Sequence, residues 1–306
     1  MIGQSAWTRE WCNAHALWIL LRDSATAWSE DRAPRKGAAL AYYTAFSLAP
    51  ILIIAIAIAG AFFGEQAARG QIYAQMKGLI GPAGAGVVQT MVASAGRSGH
   101  GILPTLLGVV TLLVGATSAL AELKDGLDEL WHAEIARSSG FWRYLADFVR
   151  TRLVSIGLIL ALGFLLLISL ALSAFLAALS NAWGGSDTSN VLLQALNFLL
   201  SFALVTALFA TIYKVLPAVQ LAWRDVMIGA AVTALLFDVG KHLIGVYLGN
   251  SAVTSMYGAA GSMLVVLIWV YYSAQIFIFG AEFTKVFARR FGSLRAHPER
   301  APQPAA

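Results

Sequence analysis

Asp238, Lys241 and His242 combine a carboxylate, an ammonium and an imidazole at helical spacing inside an apolar segment. They sit near the middle of WRDVMIGAAVTALLFDVGKHLIGVYLG, residues 223–249. About 22 mostly apolar residues lie between the charged start of this stretch and its polar end, enough to cross a ~30 Å hydrocarbon core at 1.5 Å per residue. Asp238 to Lys241 is i,i+3 and Asp238 to His242 is i,i+4, so one helical face carries all three. An ionised Asp or Lys at that depth costs roughly 2.5–3.5 kcal/mol on insertion scales. The face is therefore expected to turn toward other helices or a watery cavity. Two chemistries fit it. The pair can neutralise itself and lock a helix in register, or it can form a polar site used by a substrate or a proton. His242 fits packing as readily as proton transfer.

Further candidates for a substrate or proton pathway follow from where polar groups interrupt apolar runs. Ser47 and Pro50 lie in AALAYYTAFSLAPILIIAIAIAGAFF, residues 38–63. Pro50 removes the hydrogen bond to the Phe46 carbonyl, which Thr44 and Ser47 can offset, so a kink is expected near 46–50. A broken helix at the midplane is where transporters tend to bind substrate. Tyr271 and Gln275 add polarity to residues 259–281, and Asn197 and Thr206 to residues 191–213. Glu282 falls at the same end as Lys214 and Arg224. A bridge among these three fits an inner gate or an ordinary interfacial ion pair.

Composition sets the class that must position these groups. The chain has 306 residues, 58% hydrophobic and 12% charged, against about 25% charged in a soluble domain. Mean hydropathy is +0.71. This is the profile of a polytopic membrane protein. A single cysteine, Cys12, excludes a disulfide framework. The five histidines are scattered without metal-ligand spacing, and no nucleophile–base pair is evident, so no metal, no cofactor and no catalytic residue is expected. The first 36 residues carry charges throughout, so no cleavable signal peptide is expected.

The expected fold is an all-α polytopic membrane bundle with six transmembrane helices, at about 38–63, 102–121, 153–179, 191–213, 226–248 and 259–281. Residues 1–36 form an amphipathic cytoplasmic segment, 37–288 the six-span domain, and 289–306 a basic tail. In the first segment Trp7, Trp11 and Trp18 share one helical face. That suits an interfacial helix on the bilayer or one packed on the underside of the bundle. Two amphipathic hairpins are expected outside the membrane. One spans 64–101 and is broken at Gly81–Pro82. The other spans 122–152, is broken near Ser138–Gly140, and has an acidic run that reads as a solvated helix face rather than a cation site. Of 21 Lys and Arg, 17 fall on the side of the termini and 3 (Arg69, Lys77, Arg97) on the other, with Lys241 inside a span. This bias makes the termini cytoplasmic. The positive charge is expected to meet anionic lipid rather than nucleic acid.

Three stretches carry a resemblance. RKGAALAYYTAFSLAPIL (35–52), YKVLPAVQLAWRDVMIGAAVTALLFDVGKHLIGVYL (213–248) and YGAAGSMLVVLIWVYYSAQIFIFGAEFTKV (257–286) together resemble the YihY/BrkB family of bacterial inner-membrane proteins. The resemblance covers nearly the whole chain. It implies a transport-like or envelope-related role, with virulence associated with some members, and it carries over no agreed binding residues. Some members have been labelled ribonuclease BN. This sequence lacks the clustered His/Asp spacing of a hydrolytic metal site, so an enzyme is not expected. The expected function is a transporter or flippase for a lipid or amphiphilic envelope molecule. The alternatives are a non-transporting scaffold for envelope assembly or an exporter of a small polar solute. Membrane lipids are the expected partners, together with a transported substrate and a possible homo-oligomer.

Overall fold

A computed structural model describes residues 14–95, 118, 120–131, individual helical positions between 153 and 168, 187–219, 221–250 and 253–294. The described residues are helical, with short turns and bends and no strand. The long elements are α1 (Ala14–Glu30), α2 (Ala33–Phe63), α3 (Glu65–Ala95), α4 (Asp187–Val215), α5 (Trp223–Asn250) and α6 (Val253–Arg290). A shorter helical segment covers 120–130. Three stretches are long and apolar enough to cross a membrane: Ala195–Val215 in α4, Trp223–Tyr247 in α5 and Leu264–Arg290 in α6. The expected first, fourth, fifth and sixth spans fall inside α2, α4, α5 and α6. The second lies almost wholly outside the described residues. Within the third, Leu153, Leu160, Phe164 and Ile168 are helical, share one face and are exposed.

The hairpin expected outside the membrane at 64–101 is corrected. Glu65–Ala95 is one 31-residue helix that runs through Gly81 and Pro82. A single residue, Gly64, separates it from α2, so α3 doubles back along its neighbour. Positions equally far from Gly64 come abreast: Ile56 with Ile72, Leu52 with Met76, and Ala41 with Val88 nearby. All six belong to one apolar cluster that also takes in Val266 and Val270 of α6. Packing outweighs the hydrogen bond lost at proline, because neighbouring helices can re-satisfy freed backbone groups.

The turn itself requires glycine. Gly64 has φ 86 and ψ 143, and its N–H caps the Gly60 carbonyl at 2.9 Å. A Cβ there would meet nothing within 4 Å, so the cost of a side chain is backbone strain alone. Gly64→Ala is expected to lower stability by about 1–3 kcal/mol, read as a fall in the thermal midpoint of the solubilised protein. An unchanged midpoint would show that the turn relaxes.

α1 lies against the bundle. Leu20 packs with Phe283 and Phe287 of α6, and Ile228 and Val232 of α5 lie against this cluster. Leu17 and Trp18 face outward. Trp7 and Trp11 lie outside the described residues. At the same end the 120–130 segment inserts Leu127, Leu130 and Trp131 into the main core beside Tyr213, Leu216 and Ala288. Its acidic run is therefore not only a solvated face. Asp128 is 1% exposed, accepts the Ala218 N–H at 2.7 Å and pairs with Lys124. The hairpin break expected near 138–140 lies outside the described residues.

α5 and α6 meet through a reciprocal notch. Thr233 and Thr284 each donate a hydroxyl to the glycine carbonyl one turn back on their own helix, Gly229 and Gly280, at 2.7 Å. Each threonine also fills the space over the other helix's glycine. Small residues at this spacing let the two backbones approach closely. Tyr213 of α4 closes the notch, donating its hydroxyl to the Phe277 carbonyl at 2.7 Å.

Candidate functional site

The fold leaves a cavity of about 280 Å³ where α2 to α6 and the 120–130 segment converge. Thr44, Met76, Phe209, Phe237, Trp269 and Ser273 line it. Its walls are almost wholly apolar. Phe237 stands edge-on to Trp269 with ring centroids 6.4 Å apart and edge-on to Phe209 at 5.8 Å. The Trp269 Nε1 is buried and has no hydrogen-bond partner. An apolar cavity with few polar groups takes an apolar ligand, and polar groups in its wall orient that ligand. A second cavity of about 430 Å³ lies between α1, α5 and α6, lined by Trp28, Val239, Leu243, Tyr272 and Phe279 with Gln275.

The polar residues expected in a pathway fall in different places. Asp238 and Lys241 form an ion pair along their own helix, each about a third exposed, and His242 is exposed. The i,i+3 spacing thus does locally what it allows, and the carboxylate reaches its ammonium without another helix. Ser47 is buried in α2. The helix continues through Pro50. Tyr271 is exposed. Gln275 sits against Gly37 of α2 so closely that a Cβ there would overlap its amide nitrogen, and both amide atoms are buried without a partner. Asn197 is exposed, whereas Thr206 is buried and donates to the Phe202 carbonyl at 2.8 Å.

The bridge expected among Glu282, Lys214 and Arg224 does not form. Lys214 donates to the Leu221 carbonyl and lies 5.7 Å from the centre of the Trp223 ring. Arg224 is exposed. Glu282 is fully buried, and its cation is Lys285, 3.0 Å from Oε2. That ammonium is off the line a hydrogen bond needs, so neither Glu282 oxygen has a hydrogen-bond partner. Lys285 instead donates to Asp31 at 2.6 Å.

The last turn of α6 is tied by further polar contacts to the other segments at this end. Arg290 pairs with Asp23 of α1, and Lys36 of α2 lies 3.4 Å from Glu129. Asp225 accepts both the backbone N–H and the hydroxyl of Ser293 at 2.7 Å. The segments expected on the side of the termini therefore converge on one end of the bundle. Around Lys36, burial pushes the Glu122 carboxyl up, with Asp125 and Glu129 adding repulsion. Asp31 and the buried role of Asp128 were missed because Lys285 and the Ala218 N–H lie far away in the chain. Lys285 was missed although it stands three residues from Glu282 on a helix, a signal the sequence did carry.

The profile of the family described as "Virulence factor BrkB" matches residues 24–304. The chain is similar to curated relatives named UPF0761 membrane protein. One from Pseudomonas aeruginosa (strain LESB58) is 27% identical over 253 residues, covering 82% of this chain and 58% of the relative. One from Pseudoalteromonas atlantica is 28% identical over 249 residues, covering 81% and 78%. One from Alkalilimnicola ehrlichii is 25% identical over 268 residues, covering 86% and 57%. This chain thus spans a little over half the length of the Pseudomonas and Alkalilimnicola relatives. No solved structure matches it.

Proposed function

The chain belongs to the Virulence factor BrkB family and is an integral membrane protein, and on that premise we propose that it moves a lipid or another amphiphilic envelope molecule. The observation that carries this reading is the 280 Å³ apolar cavity among α2 to α6. An engineered apolar cavity of about 150 Å³ holds a benzene. Roughly twice that space suits a stretch of acyl chain, and Thr44, Ser273 and the unpartnered Trp269 Nε1 supply the few polar groups that would orient an ester or headgroup. The reading places the protein in a bacterial inner membrane with cytoplasmic termini, in contact with lipid and not nucleic acid, and assigns it no catalytic step. A homo-oligomer is compatible with it.

The test is lipid translocation in proteoliposomes, followed by quenching of a fluorescent phospholipid in the outer leaflet. Wild type is expected to expose inner-leaflet lipid faster than protein-free vesicles do. Ser273→Phe, which fills the cavity from α6, is expected to bring the rate down to that of empty vesicles while the protein remains folded. An Asp238→Asn arm asks whether the pair on α5 belongs to the path. Coincident traces for folded wild type and empty vesicles would reject translocation of that lipid.

A further inference from the structure

The strongest unabsorbed feature is the buried charge where α1 turns into α2. Asp31 ends α1, its N–H bonded to the Ala27 carbonyl at 2.8 Å. Arg32 then takes a left-handed conformation, φ 52, and Pro34 lies in the first turn of α2, where its missing N–H costs nothing. This corner holds the Asp31 carboxylate against the last third of α6. There Lys285 is 4% exposed and Glu282 is fully buried.

Asp31 and Glu282 share the Lys285 ammonium, and an ionised Glu282 buried without a hydrogen bond costs several kcal/mol. The Asp31 and Glu282 carboxyls meet at one ammonium, 2.6 Å and 3.0 Å from the Lys285 Nζ. Two ionised carboxylates are both acceptors, and neither Glu282 oxygen receives a hydrogen bond. Lys285 donates to Asp31, and its 3.0 Å approach to Glu282 Oε2 is a charge contact without hydrogen-bond geometry. Two carboxyls that share one buried site disfavour ionising together, so one of them tends to hold a proton.

We propose that Asp31 and Glu282 form a binding site for one exchangeable proton, held between the two carboxyls with Lys285 as the fixed counter-charge. The proton ties the α1–α2 corner to α6. Its release sets two like charges against each other beside Lys285. Lys285 and Asp31 are the charged groups that act on Glu282. From α5, Gly229 meets Thr284 nearby and Asp225 is taken by Ser293. From α2, Lys36 is directed to Glu129, and from α1, Asp23 pairs with Arg290. The site stands apart from lipid movement, since it is read by its proton and not by transport.

Infrared spectroscopy of the purified full chain tests it. Wild type at neutral pH is expected to show the carbonyl band of a protonated carboxylic acid. That band should disappear as pH is raised and should shift in D2O. Glu282→Gln is expected to remove it, and Asp31→Asn to move it by replacing one partner oxygen with an amide NH2. Absence of the band in wild type, or its persistence unchanged in Glu282→Gln, would overturn the site. A band lost with Glu282 but unmoved by Asp31→Asn would overturn the shared pair. Should Glu282→Gln fail to fold, the wild-type pH titration and the Asp31→Asn shift decide alone.

Discussion

Lys285→Met is expected to cost about 3–5 kcal/mol of stability, seen as a large fall in the thermal or denaturant midpoint of the solubilised protein. The ammonium is nearly inaccessible and is shared between Asp31 at 2.6 Å and Glu282 at 3.0 Å. Methionine keeps the bulk of the side chain but removes the charge, so the loss reports on charge. With one proton between the two carboxyls, a negative charge still loses its Lys285 counter-charge. Glu282→Gln added to Lys285→Met is expected to recover part of the loss, and a double-mutant cycle would measure that coupling. A midpoint equal to wild type for Lys285→Met would show that the cluster is solvated and would remove the case for it as a buried element.

Gly280→Ala is the second large effect, expected to cost about 1–3 kcal/mol through overpacking. The added methyl would fall on the Thr233 hydroxyl and close to the Tyr213 hydroxyl. Both are held in place, Thr233 by the Gly229 carbonyl and Tyr213 by the Phe277 carbonyl. They cannot yield without breaking buried hydrogen bonds, which costs about 1–3 kcal/mol for each group left unsatisfied. Thr233→Ala is expected to relieve part of the strain in the Gly280→Ala background. If Gly280→Ala alone leaves the midpoint unchanged, α5 and α6 are further apart than the notch requires. The contrast with Gly64→Ala separates two roles of glycine, close approach of helices at 280 and backbone conformation at 64.

By itself the sequence determined the class and the local geometry. Apolar runs long enough to cross a bilayer placed the helices that became α2, α4, α5 and α6. The i,i+3 spacing of Asp238 and Lys241 already contained their ion pair, because a helix brings those positions together whatever surrounds it. Family membership was also legible, since it rests on residue types in order along the chain. The tertiary structure decided what depends on distant faces meeting. Gly81–Pro82 carries a break signal, yet α3 runs through it because α2 and α6 pack along its length. The acidic run at 122–129 has a solvated look, yet Asp128 is buried because the turn after α4 offers it an unsatisfied N–H ninety residues away. Glu282 has the position of a gate residue opposite Lys214 and Arg224, yet it shares Lys285 with Asp31 because α1 folds onto α6. Helical periodicity fixes neighbours within a turn. Which charges must share a buried space depends on which helices bury one another's apolar stripes, and that is a property of the whole bundle.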